Sequence, residues 1–274
     1  MLYGIYLKNR TIEKDPRLLA LLSRLEESGS RLYDIRGRES LRPGTDAVLS
    51  VGGDGTFLSA SREVADSGIP VLGVNLGRLG FLSENKPEDV ADALINGAYE
   101  IEERTMLKAS VQGAGECGPD FWPYALNEVT VHRSGMSMLG VNVTVNGYRL
   151  PTYWADGLLV ATSSGSTAYS LSVGGPICSP DAKVLIISPI APHNLNVRPL
   201  VVPENTEIGI SFCSRDENAV LTMDNRTMRI APSQTIGVSV AQFSLKRMKL
   251  SKSNFVKALV GKLFWGEDIR NNGD

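Results

Sequence analysis

The stretch DAVLSVGGDGT, residues 46–56, decides the fold of the first part of the chain. Its residues 47–51 form an apolar run, which is typical of a β-strand buried on both faces of a sheet. Two glycines follow at once, and residues 56–66 then have the pattern of a helix. Glycines between a buried strand and a helix allow a ligand to approach the backbone closely.

Strand and helix signals alternate around this loop. The apolar runs predict strands at residues 2–7, 47–51 and 70–74, and helical spacing predicts helices at residues 15–27, 56–66 and 87–96. Such alternation is typical of a parallel sheet covered by helices on both faces. We therefore predict an α/β N-terminal nucleotide-binding domain with a parallel sheet over residues 1–102.

The pattern changes around Glu100. Short strand-like runs follow, separated by clusters of Gly, Pro, Asn and Ser, at residues 106–112, 127–132, 141–145, 158–161, 184–188, 207–212, 219–223 and 236–240. VNGY at residues 145–148 predicts a tight hairpin turn, and residues 167–173 are a helix candidate. These signals predict a larger all-β, sandwich-like C-terminal domain over residues 103–249.

The end of the chain has a further helical pattern. Residues 253–264 place their apolar side chains along one face, which is typical of an amphipathic helix that packs on a neighbour. We predict that the C-terminal segment 250–274 docks back on the first domain.

Composition limits the function classes. The chain has 274 residues, 42% of them apolar and 21% charged, and a net charge of −2, so no global basic field predicts a nucleic-acid or membrane partner. Its three cysteines lack metal or disulfide spacing, which favours a reducing compartment. The sequence shows no secretory signal or bilayer-spanning run. These features predict a cytoplasmic protein.

The GGDGT loop, residues 52–56, is the strongest chemical signal. A helix that begins after glycines offers unpaired N–H groups and a positive dipole end to a phosphate. Asp54 is unusual in such a loop because its carboxylate repels phosphate. Its presence is explained if it orients a hydroxyl nucleophile and accepts the proton of that hydroxyl. The alternative is that Asp54 only caps the following helix.

This loop resembles the hallmark loop of the NAD kinase family, and further segments match that family in the same order. They are NLGRLGFL at residues 75–82, Asn127-Glu128, DGLLV at 156–160, GSTAYSLS at 165–172, GGP at 174–176, PIAPH at 189–193 with Arg198-Pro199, and KLFWG at 262–266. The resemblance covers residues 52–266 and leaves mainly the first fifty residues without a match.

The resemblance implies roles for individual residues. Asp54 would be catalytic and would hold and activate the adenosine 2′-hydroxyl of NAD. Gly52, Gly53, Gly55 and Thr56 would form the phosphate loop for ATP, which carries Mg²⁺. The residues implied in binding NAD are Phe81, Asn127, Glu128, Asp156, Thr167, Ala168, Tyr169 and Ser172. The family also implies a homodimer or homotetramer, with Asp156 near the nicotinamide portion. Metal ligands stay unassigned.

Simpler roles remain open for several of these residues. Asn127 and Glu128 are also typical of solvated residues at a strand start, Phe81 of a core residue, and Tyr169 of packing on its own helix. Three further candidates are Arg78 beside glycines, His193 as a loop residue or ligand contact, and Asp224, which begins a turn.

The chain departs from the family pattern at two places. The usual TPTGSTAY is TSSGSTAY at residues 162–169, so a proline is lost while the glycine and hydroxyls stay. The usual DGQ is Asp224-Asn225-Arg226, and Asn225 is expected to accept a left-handed backbone there.

The function predicted from the sequence is therefore that of an NAD kinase, which makes NADP and ADP from NAD and ATP. One alternative is a lipid kinase of the diacylglycerol or sphingosine type, which shares a GGDGT loop but needs an apolar acceptor site. The other is a non-catalytic dinucleotide sensor. A P-loop enzyme is excluded because GxxxxGK[ST] does not occur.

Overall fold

The computed structural model describes residues 1–77, 80–113 and 121–263. The chain divides into two compact units. The first contains Met1–Glu103 and the residues from Leu245 onward, and the second contains Arg104–Ser244.

The helices and strands of the described residues alternate first and then become almost entirely β. The strands are β1 Leu2–Leu7, β2 Arg31–Ile35, β3 Ala47–Val51, β4 Val71–Val74, β5 Tyr99–Arg104, β6 Leu107–Gln112, β7 Tyr124–Ala125, β8 Glu128–Arg133, β9 Leu139–Val145, β10 Tyr148–Arg149, β11 Tyr153–Ala155, β12 Gly157–Thr162, β13 Val184–Ile190, β14 Leu200–Pro203, β15 Ile208–Cys213, β16 Ala219–Met223, β17 Arg226–Ile230, β18 Thr235–Val240 and β19 Leu245–Leu250. The α-helices are α1 Pro16–Glu27, α2 Asp54–Val64, α3 Pro87–Asn96, α4 Tyr169–Ser172 and α5 Phe255–Leu263.

The first unit is built on a six-stranded sheet in the order β2-β1-β3-β4-β19-β5. Strands β1 to β4 and β19 pair in parallel, as the alternation of strands and helices predicts. Strand β3 is buried along its whole length, which explains its uninterrupted apolar run. The N-terminal α/β domain with a parallel sheet is therefore confirmed.

Local signals explain where the helices of this unit begin. Asp15 caps α1 by accepting the N–H of Arg17 at 2.9 Å, and Pro16 occupies the first helical position. Helix α3 spans the predicted residues. Helix α2 begins at Asp54, two residues earlier than predicted, because an acidic side chain is stabilised in the first turn of a helix.

The second unit contains two antiparallel sheets. Their orders are β10-β9-β15-β18-β6-β7, with β11 added beside β9, and β14-β13-β12-β8-β16-β17. One apolar core takes side chains from both sheets, among them Val141 and Phe212 from the first and Val160 and Leu221 from the second. Two sheets that share a core in this way form a sandwich, which confirms the predicted all-β C-terminal domain.

Two hairpins among the described residues of this unit have tight two-residue turns. The NG turn pairs Val145 with Tyr148, and Asn146 and Gly147 have φ values of 49° and 82°, so the predicted hairpin is confirmed. The turn between β16 and β17 pairs Met223 with Arg226. Its left-handed residue is Asp224, with φ of 50°, and not Asn225 as the sequence suggested.

The helix candidate at residues 167–173 is divided in the structure. A 3₁₀ helix, Ser164–Thr167, is followed by the single turn of α4. Among the described residues, no helix combines the length and the apolar character that crossing a bilayer would need.

Candidate active site

The GGDGT loop forms a sharp turn between β3 and α2. Gly52 has φ of 147°, and a Cβ at this position would overlap the side chain of Thr56, so only glycine fits. Its N–H donates to the carbonyl of Val74 at 2.8 Å, which ties the loop to β4. Gly53 and Gly55 are exposed, and a Cβ added to either would meet open space. A ligand therefore has access to the first N–H groups of α2, which have no partner within the helix.

The Asp54 carboxylate holds a second loop of the same unit. Its Oδ2 accepts the N–H of Phe81 at 2.8 Å, and its Oδ1 accepts those of Leu82 and Ser83 at 3.0 and 2.9 Å. Three consecutive amides thus fix the orientation of one carboxylate. Asp54 is more than a cap of its own helix, because its partners lie 27 to 29 residues further along the chain.

The loop that Asp54 holds, residues 80–83, is tightly closed. The N–H of Gly80 donates to the carbonyl of Ser83 at 3.0 Å, and a Cβ on Gly80 would overlap the Asp54 carboxylate. Phe81 is half-buried, with its ring 6.4 Å from that of Phe255 in α5. The structure thus brings Asp54 and Phe81 together, whereas Arg78 lies outside the described residues.

In the second unit, Asp224 holds the segment that carries Asn127 and Glu128. Its Oδ2 accepts the N–H of Leu126 at 2.9 Å, and its Oδ1 accepts those of Asn127 and Glu128 at 2.8 and 3.3 Å. In return, the Asp224 N–H donates to the Glu128 carbonyl at 3.0 Å. Asp224 is therefore the residue that orients the Asn-Glu pair.

Glu128 is a buried carboxyl group. Burial and the nearby Asp224 carboxylate raise the pKa of Glu128 to about 8, against the effect of the Tyr169 N–H that donates to it. Its Oε2 has no hydrogen-bond partner within the described ranges. Burial also raises the pKa of Asp224, although the three N–H groups and Arg226 oppose this shift. Asn127 is buried too, so neither member of the pair is the solvated strand-start residue that the simpler interpretation expects.

The turn at residues 162–169 lies against this pair. Thr162 Oγ1 donates to the Leu126 carbonyl at 2.6 Å and accepts the N–H of Gly165 at 3.0 Å. Ser163 Oγ donates to the Pro180 carbonyl at 3.1 Å. Hydroxyl groups therefore hold the turn that lacks the usual proline. Thr167 and Ala168 are half-buried, whereas Tyr169 and Ser172 are exposed.

Two other predicted residues, Asp156 and His193, make no hydrogen bond to this cluster among the described residues. The Asp156 carboxylate pairs with Arg133 Nε at 2.8 Å. His193 is exposed, and its backbone N–H donates to the Trp154 carbonyl at 2.8 Å. The ion pair of Asp156 was not predicted, because Arg133 lies 23 residues earlier and nothing in the local sequence links the two.

Arg226, which stands where the family usually has Gln, has a definite structural role. Its guanidinium donates to the carbonyls of Trp122, at 2.7 Å, and of Tyr124, and lies 4.7 Å from the centre of the Trp122 ring. Arg226 thereby fixes the segment that leads into Asn127. In the described part of the chain, no group of three His, Cys, Asp or Glu side chains is arranged to hold a metal ion.

Comparisons with known proteins agree with this geometry. Residues 26–99 match the family described as ATP-NAD kinase N-terminal domain, and residues 126–250 match the ATP-NAD kinase C-terminal domain. The crystal structure of yeast NADH kinase complexed with NADH superposes with a TM-score of 0.86 over 99% of this chain and 89% of that one, at 22% identity, and so shows the fold. An NAD kinase from Archaeoglobus fulgidus, solved in complex with ATP, gives a TM-score of 0.76 at 27% identity over 92% of this chain and 95% of that one.

Sequence relatives identify the family. The NAD kinase of Flavobacterium psychrophilum is 39% identical over 94% of this chain and 88% of its own length. That of Porphyromonas gingivalis is 38% identical over 94% and 96%, respectively. The fold and these relatives define an enzyme that transfers a phosphoryl group to an alcohol. More narrowly, the chain belongs to the NAD kinase family, and the lipid-kinase and sensor alternatives are set aside.

Proposed function

We propose that this enzyme transfers the γ-phosphoryl group of ATP to the 2′-hydroxyl of the adenosine ribose of NAD, with Asp54 as the catalytic residue. The observation that carries the proposal is the fixed carboxylate of Asp54 beside two exposed glycines. Membership of the NAD kinase family supplies the reaction, and the geometry of Asp54 supports its role in it.

Asp54 would act mainly by positioning the nucleophile. Of the described residues, only the N–H of Phe81 donates to Oδ2, so this oxygen keeps a lone pair for the ribose hydroxyl. The three amides hold the carboxylate in one orientation, which lowers the entropic cost of aligning the hydroxyl for in-line attack. The new oxygen–phosphorus bond forms as the bond from the γ-phosphorus to the β,γ-bridging oxygen breaks and ADP leaves, and the proton passes from the 2′-oxygen to Oδ2.

The start of α2 would receive the phosphates of ATP. Gly53 and Gly55 would present their backbone N–H groups, and the helix dipole favours negative charge there. Gly52 and Thr56 would shape the loop, since their own N–H groups donate to the carbonyls of Val74 and Gly53. We propose that Mg²⁺ arrives as part of the MgATP substrate, since the described residues contain no group of three metal ligands. The ion, when bound, neutralises charge on the phosphate oxygens.

NAD would meet one buried polar atom that lacks a partner among the described residues. Glu128 Oε2, buried and without a hydrogen-bond partner in the described chain, is suited to a ribose hydroxyl. Asn127, Thr167 and Ser172 would add polar contacts, and Phe81, Ala168 and Tyr169 apolar ones. Asp156 would reach the nicotinamide portion while its charge is shared with Arg133.

We further propose a homodimer or homotetramer in the cytoplasm. Exposed apolar side chains of the second unit, such as Trp154 and Leu195, support self-association. Cys178 and Cys213 are both free thiols, which supports a reducing compartment.

The reaction is tested with purified protein, MgATP and NAD. We expect equimolar NADP and ADP, with the new phosphate on the 2′-oxygen by ³¹P NMR and by reduction with an NADP-specific dehydrogenase. A parallel assay with diacylglycerol as the acceptor should give no phosphorylated lipid. Absence of NADP, or phosphorylation of the lipid, would contradict the proposal. Light scattering during size-exclusion chromatography measures the molar mass and so tests the proposed oligomeric state.

A further inference from the structure

The loop at residues 80–83 is bound by two other elements of the first unit. The Asp54 carboxylate of α2 accepts the N–H groups of residues 81–83. The Lys262 ammonium of α5 donates to the carbonyl of Gly80. Because the turn is closed by its own hydrogen bond from Gly80 to Ser83, these two contacts together fix its position.

Helix α5 also covers the ring of Phe81. Lys262 Nζ lies 4.7 Å from the centre of that ring, and the Phe255 ring lies 6.4 Å from it at an angle of 52°. A cation over an aromatic face and a tilted ring pair are both attractive. The position of Phe81 therefore depends on two residues that are far away in the sequence.

Among the residues that the structure describes, the charge of Lys262 has no close carboxylate partner. No Asp or Glu of the described residues lies within ion-pair distance of its ammonium, and the neighbouring Glu84 is paired with Arg247. Burial lowers the pKa of Lys262, while Glu84 and Asp54 oppose this effect. A half-buried ammonium is suited to holding this loop, because its N–H donates to the Gly80 carbonyl and its charge lies over the Phe81 ring.

We propose that Lys262 is a positioning residue for the adenosine pocket, because it fixes Gly80 and Phe81 and so sets the affinity for NAD. The inference rests on the proposed role of Phe81 in lining that pocket. Lys262 acts on the dinucleotide through Phe81, so its loss weakens NAD binding and leaves the chemical step nearly unchanged.

The test uses the Lys262→Met variant of the full-length enzyme, which keeps the aliphatic stem but removes the donor and the charge. We expect KM for NAD to rise about 5–30-fold, the effect of losing one charged hydrogen bond and one cation–π contact. We expect kcat and KM for ATP to stay within about twofold, and Lys262→Arg to recover most of the affinity because it keeps the cation and its N–H donors.

The matched control is Lys257→Met. Lys257 lies on the same helix, and both lysines line a cleft of about 940 Å³ in the first unit. The Lys257 ammonium makes no hydrogen bond to the described residues. Its replacement should leave all three constants unchanged.

Hydrogen exchange at the amides of residues 81–83 gives a second measurement that does not need activity. These amides should exchange faster in Lys262→Met and at the normal rate in Lys257→Met. Unchanged exchange together with unchanged KM for NAD would overturn the inference, as would a fall in kcat alone. If the wild-type protein makes no NADP, the proposed function fails, while exchange still tests the contact of Lys262.

Discussion

Two aspartates, one in each unit, hold a backbone segment by the same pattern of hydrogen bonds. Asp54 accepts the N–H groups of residues 81–83, and Asp224 accepts those of residues 126–128. In each case Oδ2 accepts one amide and Oδ1 accepts two. The hydrogen bonds alone therefore do not distinguish a reactive carboxylate from a structural one.

The surroundings of the two carboxylates differ. Asp54 lies in the first turn of α2, where the helix dipole favours its charge, beside exposed glycines and near the cation of Lys262. Asp224 lies in a hairpin turn next to Glu128, a buried group of the same charge type. We infer that Asp54 is held where a ligand can meet it, whereas Asp224 is held to orient its neighbours.

The largest effect is expected for Asp54→Asn. We expect kcat to fall roughly 10²–10⁴-fold, the usual contribution of a group that accepts a proton from the nucleophile. NAD binding, measured by calorimetry, should stay largely intact. An Asp54→Asn enzyme that keeps the wild-type kcat would rule out the catalytic role.

A control is needed because the variant also changes the loop. Asn has a single acceptor oxygen, so at least one amide of residues 81–83 loses its partner. Hydrogen exchange at these amides reports that loss. If kcat falls while exchange at the other two amides stays near the wild-type rate, the loss of activity comes from the carboxylate itself and not from a displaced loop.

Asp224→Asn should affect stability and KM for NAD more than kcat, which is the opposite of what we expect for Asp54→Asn. At least one of the three N–H groups at residues 126–128 loses its acceptor, so the free energy of unfolding should fall by about 1–3 kcal/mol at pH 7. Because Asn127 and Glu128 are then less well oriented, KM for NAD should rise more than kcat falls. Denaturant unfolding and steady-state kinetics check the two expectations. A loss of kcat as large as that in Asp54→Asn, with normal stability, would remove the distinction between the two aspartates.

The dependence of stability on pH tests the surroundings of Asp224, where the buried carboxyl group of Glu128 lies. The pKa of Glu128 is raised to about 8 in the folded protein, so this group contributes stability that is present below its unfolded pKa and lost as the pH rises through 8. The expected slope is up to about 1.4 kcal/mol per pH unit for one proton. Glu128→Gln should remove this part of the slope between roughly pH 4.5 and 8.

Thermal and denaturant unfolding across this pH range measure the slope. Glu207→Gln, which changes an exposed glutamate of the same unit, is the control and should leave the slope as it is. An identical pH dependence in wild type and Glu128→Gln would show that Glu128 ionises normally in the folded state.

Much of the fold could be predicted because its strands are apolar and its turns have specific residues. Strand β3 and the NG hairpin are examples. Strand β19, LKRMKL, has no such pattern, and it was not predicted. Its Arg247 is buried in ion pairs with Glu84 and Glu102, and such pairs form only once distant segments have come together.

For the candidate site, too, some features could be predicted from the sequence and others could not. The motifs mark Asp54, Phe81 and Glu128 as functional candidates, since those residue types occur in recognisable local patterns. The contacts between them could not be predicted, because Asp54 and Phe81 are 27 residues apart and Asp224 and Asn127 are 97 apart. Lys262 was singled out only as part of the family's terminal motif, and nothing in that motif indicates a contact with Gly80.

The smallest effect is expected for Arg226→Gln, which restores the residue usual in the family. The shorter side chain loses the stacking on Trp122 and at least one of the two carbonyl contacts. The free energy of unfolding should fall by about 1 kcal/mol, while kcat stays within about twofold.

Arg226→Gln also tests whether the Arg226 charge affects the ionisation of Asp224. Arg226 opposes the rise in the pKa of Asp224, so its loss should raise that pKa further. NMR titration of the Asp224 carboxyl carbon measures the shift. Arg229→Gln, at an exposed position of the same strand, is the matched control and should change neither stability nor titration. If both variants behave alike, the segment before Asn127 is held without Arg226, and the orientation of the Asn-Glu pair depends on Asp224 alone.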